Sequence, residues 1–251
     1  MPVDDLGEPV PLPRPPTRVV SLVPSLTEAV DPAALVGATD YCTHPPGLDV
    51  PRVGGSKYPD VDRVLALRPD LVLANGEENR PGDVAALRAA GVPVWVTGAP
   101  ATVPAALASL RRLFEVVWAA EPGWLVRAEA LWSRAEPVRV TAVVPVWRRP
   151  WVVLGRDTFA GDVLARLGVA NAYASHPDRY PRPPLAELRE CGARVVVLPD
   201  EPYEFTPADG PEAFPDLVPV HVSGRHLTWY GPSLAEARAP LEAVLAPVLD
   251  L

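Results

Sequence analysis

The strongest constraint on this chain is the alternation of short apolar runs with segments of helical spacing. Arg18 to Val23 (RVVSLV), Leu35 to Thr39, Leu71 to Ala74 (LVLA) and Val92 to Thr97 (VPVWVT) are four to six residues long and almost wholly apolar. Runs of that length and composition read as strands buried on both faces. Between them, Asp60 to Leu67 reads as a helix with Asp60 as its N-cap, and Asp83 to Ala90 as a helix stopped by Gly91. Ser25 followed by Glu28 has the spacing of a capping box and predicts a further helix start. Strand and helix in turn imply an α/β layer structure with a mostly parallel sheet.

From Thr102 to Pro137 the alternation stops. Leu107, Leu110, Leu113 and Phe114, and then Leu125, Ala128, Leu131 and Trp132, recur at helical spacing around the break Pro122-Gly123. The alternation resumes with strands expected at Val138 to Val146, Trp151 to Leu154, Arg194 to Leu198 and Val218 to Val222. Helices are expected at Thr158 to Leu167, at Leu185 to Cys191, and from a Ser233/Glu236 capping box to about Leu249. Leu65 to Asn79 and Leu188 to Glu204 share one order: helix end, apolar strand, acidic loop. This weak internal repeat predicts two similar lobes, 1–98 and 138–251, with a linking helical segment over 99–137. Ligands of open parallel sheets sit at the carboxyl ends of the strands, so a cleft shared by the two lobes is the expected site.

Bulk properties exclude several functions. The net charge is −8 with no Lys/Arg cluster, which argues against nucleic-acid binding. No apolar run approaches the roughly 20 residues needed to span a bilayer. The start, MPVDDLGEPVPLPRPP, lacks the basic, apolar and cleavage regions of a signal peptide. The expected location is cytoplasmic as the sequence stands, and extracytoplasmic if a signal was removed. Cys42 and Cys191 are too few for a disulfide framework. No phosphate loop, nucleophile elbow or dinucleotide fingerprint occurs, so the chain is expected not to be an enzyme.

Five segments carry a family resemblance: RVVSLVPSLTE (18–28), VGATDYCTHPP (36–46), VGGSKYPDVDRVLALRPDLVLAN (53–75), GRDTFAGDVLARLG (155–168) and LTWYGP (227–232). In order and spacing they resemble the helical-backbone (class III) substrate-binding proteins of ABC transporters, in the cobalamin-binding branch. The resemblance implies two Rossmann-like lobes with parallel sheets joined by a long backbone helix, and a ligand held between them. Cobalamin or a related corrinoid is the implied ligand. An ABC permease is the implied partner of a monomer, with one docking acid on each lobe. Asp62 holds the first of those positions. Ala186 or Glu187 holds the second, depending on a one-residue shift.

The loop Asp40 to Pro46 carries Tyr41, Cys42 and His44. His44 is the candidate axial ligand, since neutral imidazole suits cobalt and iron, and a solvated loop histidine is the plain alternative. Gly54 and Gly55 precede Lys57 and Tyr58, and the Tyr58 ring is suited to stacking on a macrocycle. Asn75 and Glu77, with Glu78 and Asn79, are candidates for hydrogen bonds to peripheral amides. In the second lobe the candidates are Trp147, Phe159, Tyr203, Trp229 and Tyr230, with His226 as a weaker metal ligand. The Tyr41–His44 loop is expected to face Trp147 and Trp229. Two other readings stand beside this one. Haem or a ferric siderophore would use Tyr41, His44 and His226, or the cations Lys57, Arg148, Arg149 and Arg225. A chelatase-like enzyme rests on fold analogy alone.

Overall fold

The computed structural model describes residues 1–251. Ten strands form in chain order: Val19–Ser21 (β1), Leu35–Ala38 (β2), Leu71–Asn75 (β3), Val94–Thr97 (β4), Val140–Val143 (β5), Pro145–Arg148 (β6), Trp151–Val153 (β7), Val169–Asn171 (β8), Val195–Pro199 (β9) and Val218–Val222 (β10). The helices are Pro24–Thr27 (α1), Val61–Ala66 (α2), Pro81–Ala89 (α3), Val103–Trp118 (α4), Gly123–Trp132 (α5), Phe159–Arg166 (α6), Leu185–Glu190 (α7), Gly224–Thr228 (α8) and Leu234–Leu245 (α9). They divide into two compact units. Unit 1 holds Met1–Ala99, Leu107–Val126 and Tyr230–Pro232, and unit 2 holds Pro100–Ala106, Arg127–Trp229 and Ser233–Leu251.

The sheet of unit 1 runs β2-β1-β3-β4, all parallel, with Val19 between Leu35 and Leu71. Its core includes the fully buried Val20, Leu22, Val64, Val72, Ala74 and Leu87. The sheet of unit 2 runs β10-β9-β5-β8, also parallel, with β6 and β7 as a separate antiparallel hairpin. Taken from its own first strand, each unit has the order 2-1-3-4. The faint repeat between LVLAN and VVVLP therefore marks β3 and β9, the third strand of each unit. In that order the chain reverses its direction of travel across the sheet between the first and third strands. This is the switch point where loops diverge and leave room for a ligand: after β1 and β3 in unit 1, after β5 and β9 in unit 2.

Local chemistry explains most boundaries. The Asp60 side chain accepts from Arg63 N at 3.0 Å and starts α2. Gly91, Gly168 and Gly192 follow helix ends with φ of +82°, +86° and +78°, a region open to glycine at no steric cost. At the end of α4, Ala119 takes φ +50° and its N–H bonds Glu115 O at 3.1 Å, an αL-type stop without glycine.

Both expected capping boxes fail to form. Pro24 occupies the first turn of α1, so Val23 is the N-cap and Ser25 lies inside the helix. Ser233 is helical itself, and its hydroxyl bonds Trp229 O at 3.3 Å instead of capping α9. Two elements carry too little periodicity to be read from sequence. β8 has three residues directly after Gly168, and α8 is a single turn whose N-cap Ser223 accepts from His226 N at 3.4 Å.

Candidate functional site

In unit 1 the candidate groups come from three loops at the carboxyl ends of the strands. The loop after β2 is fastened from beneath. Cys42 is fully buried, and its sulfur lies 2.9 Å from Thr27 Oγ1 and 3.1 Å from Thr39 Oγ1. Burial pushes the Cys42 thiol pKa up, against these hydrogen bonds, so it stays a neutral packing group. The Arg52 guanidinium donates to Thr39 O and Cys42 O, both at 2.9 Å, and to Leu48 O at 3.2 Å. On this base Tyr41 stands 66% exposed, and half-buried His44 has Nδ1 3.1 Å from Thr43 Oγ1.

Tyr58 is 70% exposed, with the Arg80 guanidinium 4.5 Å from its ring centroid. Arg80 is itself held by Asp83 at 2.8 and 2.9 Å. Gly55 brings the two tyrosines into one neighbourhood: Tyr58 N–H bonds Gly55 O at 3.2 Å, and a Cβ on Gly55 would lie 3.3 Å from the Tyr41 ring. Lys57 Nζ donates to Glu77 O at 3.1 Å and joins this loop to the one after β3.

Asn79 organises the three loops. Its Oδ1 accepts from Asn75 N at 2.8 Å, and its Nδ2 donates to Ser56 O at 2.8 Å and to Leu22 O at 3.4 Å. It ties the ends of β1 and β3 to the glycine loop, and it is buried. Asn75 also works inward, which corrects its assignment as a ligand contact. It is fully buried, its Nδ2 donates to Thr97 O, Thr97 Oγ1 and Gly98 O, and its Oδ1 accepts from Glu77 N and Glu78 N. Glu77 and Glu78 remain half-buried at the rim. Burial, helped by the Glu77 charge, pushes the Glu78 carboxyl up to about 7.

Unit 2 presents an aromatic ridge. Trp147, 45% exposed on β6, meets Tyr203 edge-on at 5.7 Å, and Tyr203 packs on Phe205 at 4.6 Å. Tyr203 is positioned through its hydroxyl, which donates to Asp209 Oδ2 at 2.6 Å. Arg148 pairs with Asp209 and Glu212 and lies 5.5 Å over Trp151, so the segment after β9 is anchored to the β6–β7 hairpin. The backbone N–H of Gly210 also donates to Glu212 and is the leading cause of that carboxylate's lowered pKa.

Phe159, Trp229 and Tyr230 differ from expectation: all three are buried. Trp229 Nε1 donates to Glu201 at 3.2 Å, and Arg225 lies 6.0 Å over its ring. Burial raises the Glu201 pKa, against that hydrogen bond. Asp157 precedes the N-cap Thr158 with φ +54° and does not cap α6. His226 sits on α8 with Nε2 3.8 Å from Glu236 Oε1, so its outer nitrogen is turned to a carboxylate. Two surface depressions of about 210 and 380 Å³ lie in unit 2, one lined by Val138 to Thr141, Gly192 and Arg194, the other between α5 and α9. Neither includes a candidate residue.

No family model matches the chain. Within it, 88 residues are 33% identical to the vitamin B12-binding protein of Vibrio cholerae, covering 33% of this chain and 32% of that protein. The match therefore spans about a third of the length of the curated relatives. Over the whole chain, the periplasmic vitamin B12-binding protein of Vibrio cholerae superposes with a TM-score of 0.71 at 19% identity, covering 93% of this chain and 98% of that one. A periplasmic haem-binding protein from Pseudomonas aeruginosa superposes with a TM-score of 0.74 at 25% identity, covering 93% and 94%. The fold is that of these periplasmic binding proteins.

The expected docking acids stand one residue out of step in the repeat: Asp62 is the second residue of α2, and Ala186, not Glu187, is the second residue of α7. Asp62 is exposed in the first turn of α2, the helix before β3, and Glu187 is exposed in the first turn of α7, the helix before β9. Glu187 also accepts from Tyr173 OH at 3.1 Å. Sequence reading missed the anchoring residues Arg52, Asn79 and Asp209 as such, because their work is done on segments distant in the chain.

Proposed function

We propose that this chain is a non-enzymatic binding protein for cobalamin or a related corrinoid. The observation that carries the reading is the pair of exposed rings, Tyr41 and Tyr58, on loops fastened by Arg52, Cys42 and Asn79. Exposed aromatic surface that is already ordered binds a flat ligand without the entropy cost of arranging it. The local likeness to a vitamin B12-binding protein supports the corrinoid. The exposed Trp147 and the adjoining Tyr203 supply the same kind of surface in unit 2. His44 is the axial-ligand candidate, and Lys57 and Glu77 are the polar contacts. Delivery to an ABC permease, through Asp62 and Glu187, is the role in keeping with structural neighbours that are periplasmic binding proteins. That role implies an extracytoplasmic location.

A second reading, haem, is favoured by the likeness to a haem-binding protein and by the phenol and imidazole of Tyr41 and His44 on one loop. One experiment separates the two: absorbance titration of the purified protein with cyanocobalamin, hemin and a ferric siderophore in parallel. The corrinoid reading expects saturable spectral change with cyanocobalamin, weakened roughly tenfold in Tyr41→Ala and in Tyr58→Ala. A Soret shift with hemin alone, lost in His44→Ala or Tyr41→Phe, would establish haem instead.

A further inference from the structure

The first ten residues form a built structure at the carboxyl end of β3 and β4. Val3 bridges Pro9, Val10 N–H bonds Pro2 O at 2.9 Å, and Gly7 turns the chain with φ +84°. Asp4 is buried at the base of this hairpin. Its Oδ1 accepts from Leu6 N and Glu8 N, both at 2.9 Å, and its Oδ2 takes Arg88 at 2.6 Å and Val96 N at 3.3 Å. Asp5 N–H bonds Val96 O at 3.2 Å, while the Asp5 carboxylate accepts from Gly98 N at 3.1 Å and pairs with Arg112 at 2.6 Å. The segment thus covers the outer edge of β4, which would otherwise offer unpaired backbone groups.

Edge protection accounts for the backbone and the aspartates, but it makes no use of the Leu6 side chain. Leu6 is 57% exposed, and both its methyls lie 3.8 Å from the place a Cβ on Gly76 would occupy. Gly76 immediately precedes Glu77 and Glu78 in the loop after β3. A solvent-exposed leucine by itself needs no explanation. Leu6 differs in being held, with its own N–H and that of Glu8 tied to one buried carboxylate, beside a loop that carries candidate ligand groups. Held apolar surface next to polar anchors is the pattern of a binding-site rim.

We propose that the Pro2–Val10 hairpin is part of the ligand site and that Leu6 is its contact, covering an apolar flank of the bound corrinoid. This rests on the corrinoid reading. Partial burial of a leucine is worth about five- to tenfold in affinity. Cyanocobalamin titrations of wild type, Leu6→Ser and Leu6→Met, with the thermal midpoint of each, form the test. The expected result is five- to tenfold weaker binding for Leu6→Ser, recovery in Leu6→Met, and the same midpoint in all three. If wild type binds and Leu6→Ser binds equally well, the rim assignment is overturned while the corrinoid reading stands. A lowered midpoint in Leu6→Ser assigns the side chain to folding and overturns it too. Wild type that fails to bind cyanocobalamin overturns both.

Discussion

Replacing Asn79 by alanine removes one buried amide and leaves backbone groups of three loops without their partner. Two of its bonds are 2.8 Å long, to Asn75 N and Ser56 O, and the third, to Leu22 O, is 3.4 Å. Leaving a buried donor or acceptor unsatisfied costs about 1–3 kcal/mol. Counting only the two short bonds, Asn79→Ala costs unit 1 about 2–6 kcal/mol. With a urea slope of about 2 kcal/mol/M, the unfolding midpoint falls by about 1–3 M. Asn79→Asp sharpens the test. It keeps the acceptor for Asn75 N but loses both donors and turns a carboxylate oxygen toward the Ser56 and Leu22 carbonyls. At pH 7 it is expected to be at least as destabilised as the alanine variant, and to recover part of the loss at pH 4, where protonation restores a donor. Urea melts followed by far-UV circular dichroism read both. A midpoint for Asn79→Ala within about 0.3 M of wild type would refute the view that this amide holds the strand-end loops together.

Glu78 gives a signed pH dependence. Its folded pKa of about 7 lies above the ordinary carboxyl value of 4.5, mainly through burial, so its contribution is fully present below about pH 4.5 and is lost as pH rises through 7. Glu78→Gln is therefore expected to be more stable than wild type at pH 8, by on the order of 2 kcal/mol, and no more stable at pH 4. Equal differences at both pH values would count against it. In Gly155→Ala the new methyl would run into Asp178 O and the Pro181 ring. The neighbours are mostly backbone, so a loss of about 2 kcal/mol or more in the unit 2 transition is expected, and a neutral effect would show that this segment can yield.

The architecture was legible because parallel strands buried on both faces leave an unmistakable trace. RVVSLV, LVLA, VPVWVT and RVVVL had no other reading than strands, and the faint likeness of LVLA to RVVVL proved to be a shared 2-1-3-4 sheet order. Asp60 was legible as a cap because a cap acts three residues along its own chain. The two serine boxes were misread because the motif does not register a proline at the preceding position, as at Pro24, or a serine already helical, as at Ser233.

In the candidate site the division is by distance in sequence. The exposed candidates Tyr41, Lys57, Tyr58 and Trp147 stand on loops and a hairpin whose composition announced them. Asn75 was mistaken for a contact, and Asn79 and Arg52 were not recognised as anchors, because a polar residue after a strand looks the same whether its amide points to solvent or to backbone 23 or 57 residues away. By itself the sequence determined which segments are strands, that the sheets are parallel and that the units repeat, since burial on both faces is written in local composition. Only the tertiary structure decided which polar groups are consumed in holding the loops and which are left to meet a ligand, because hydrogen-bond partners distant in the chain are chosen by the fold.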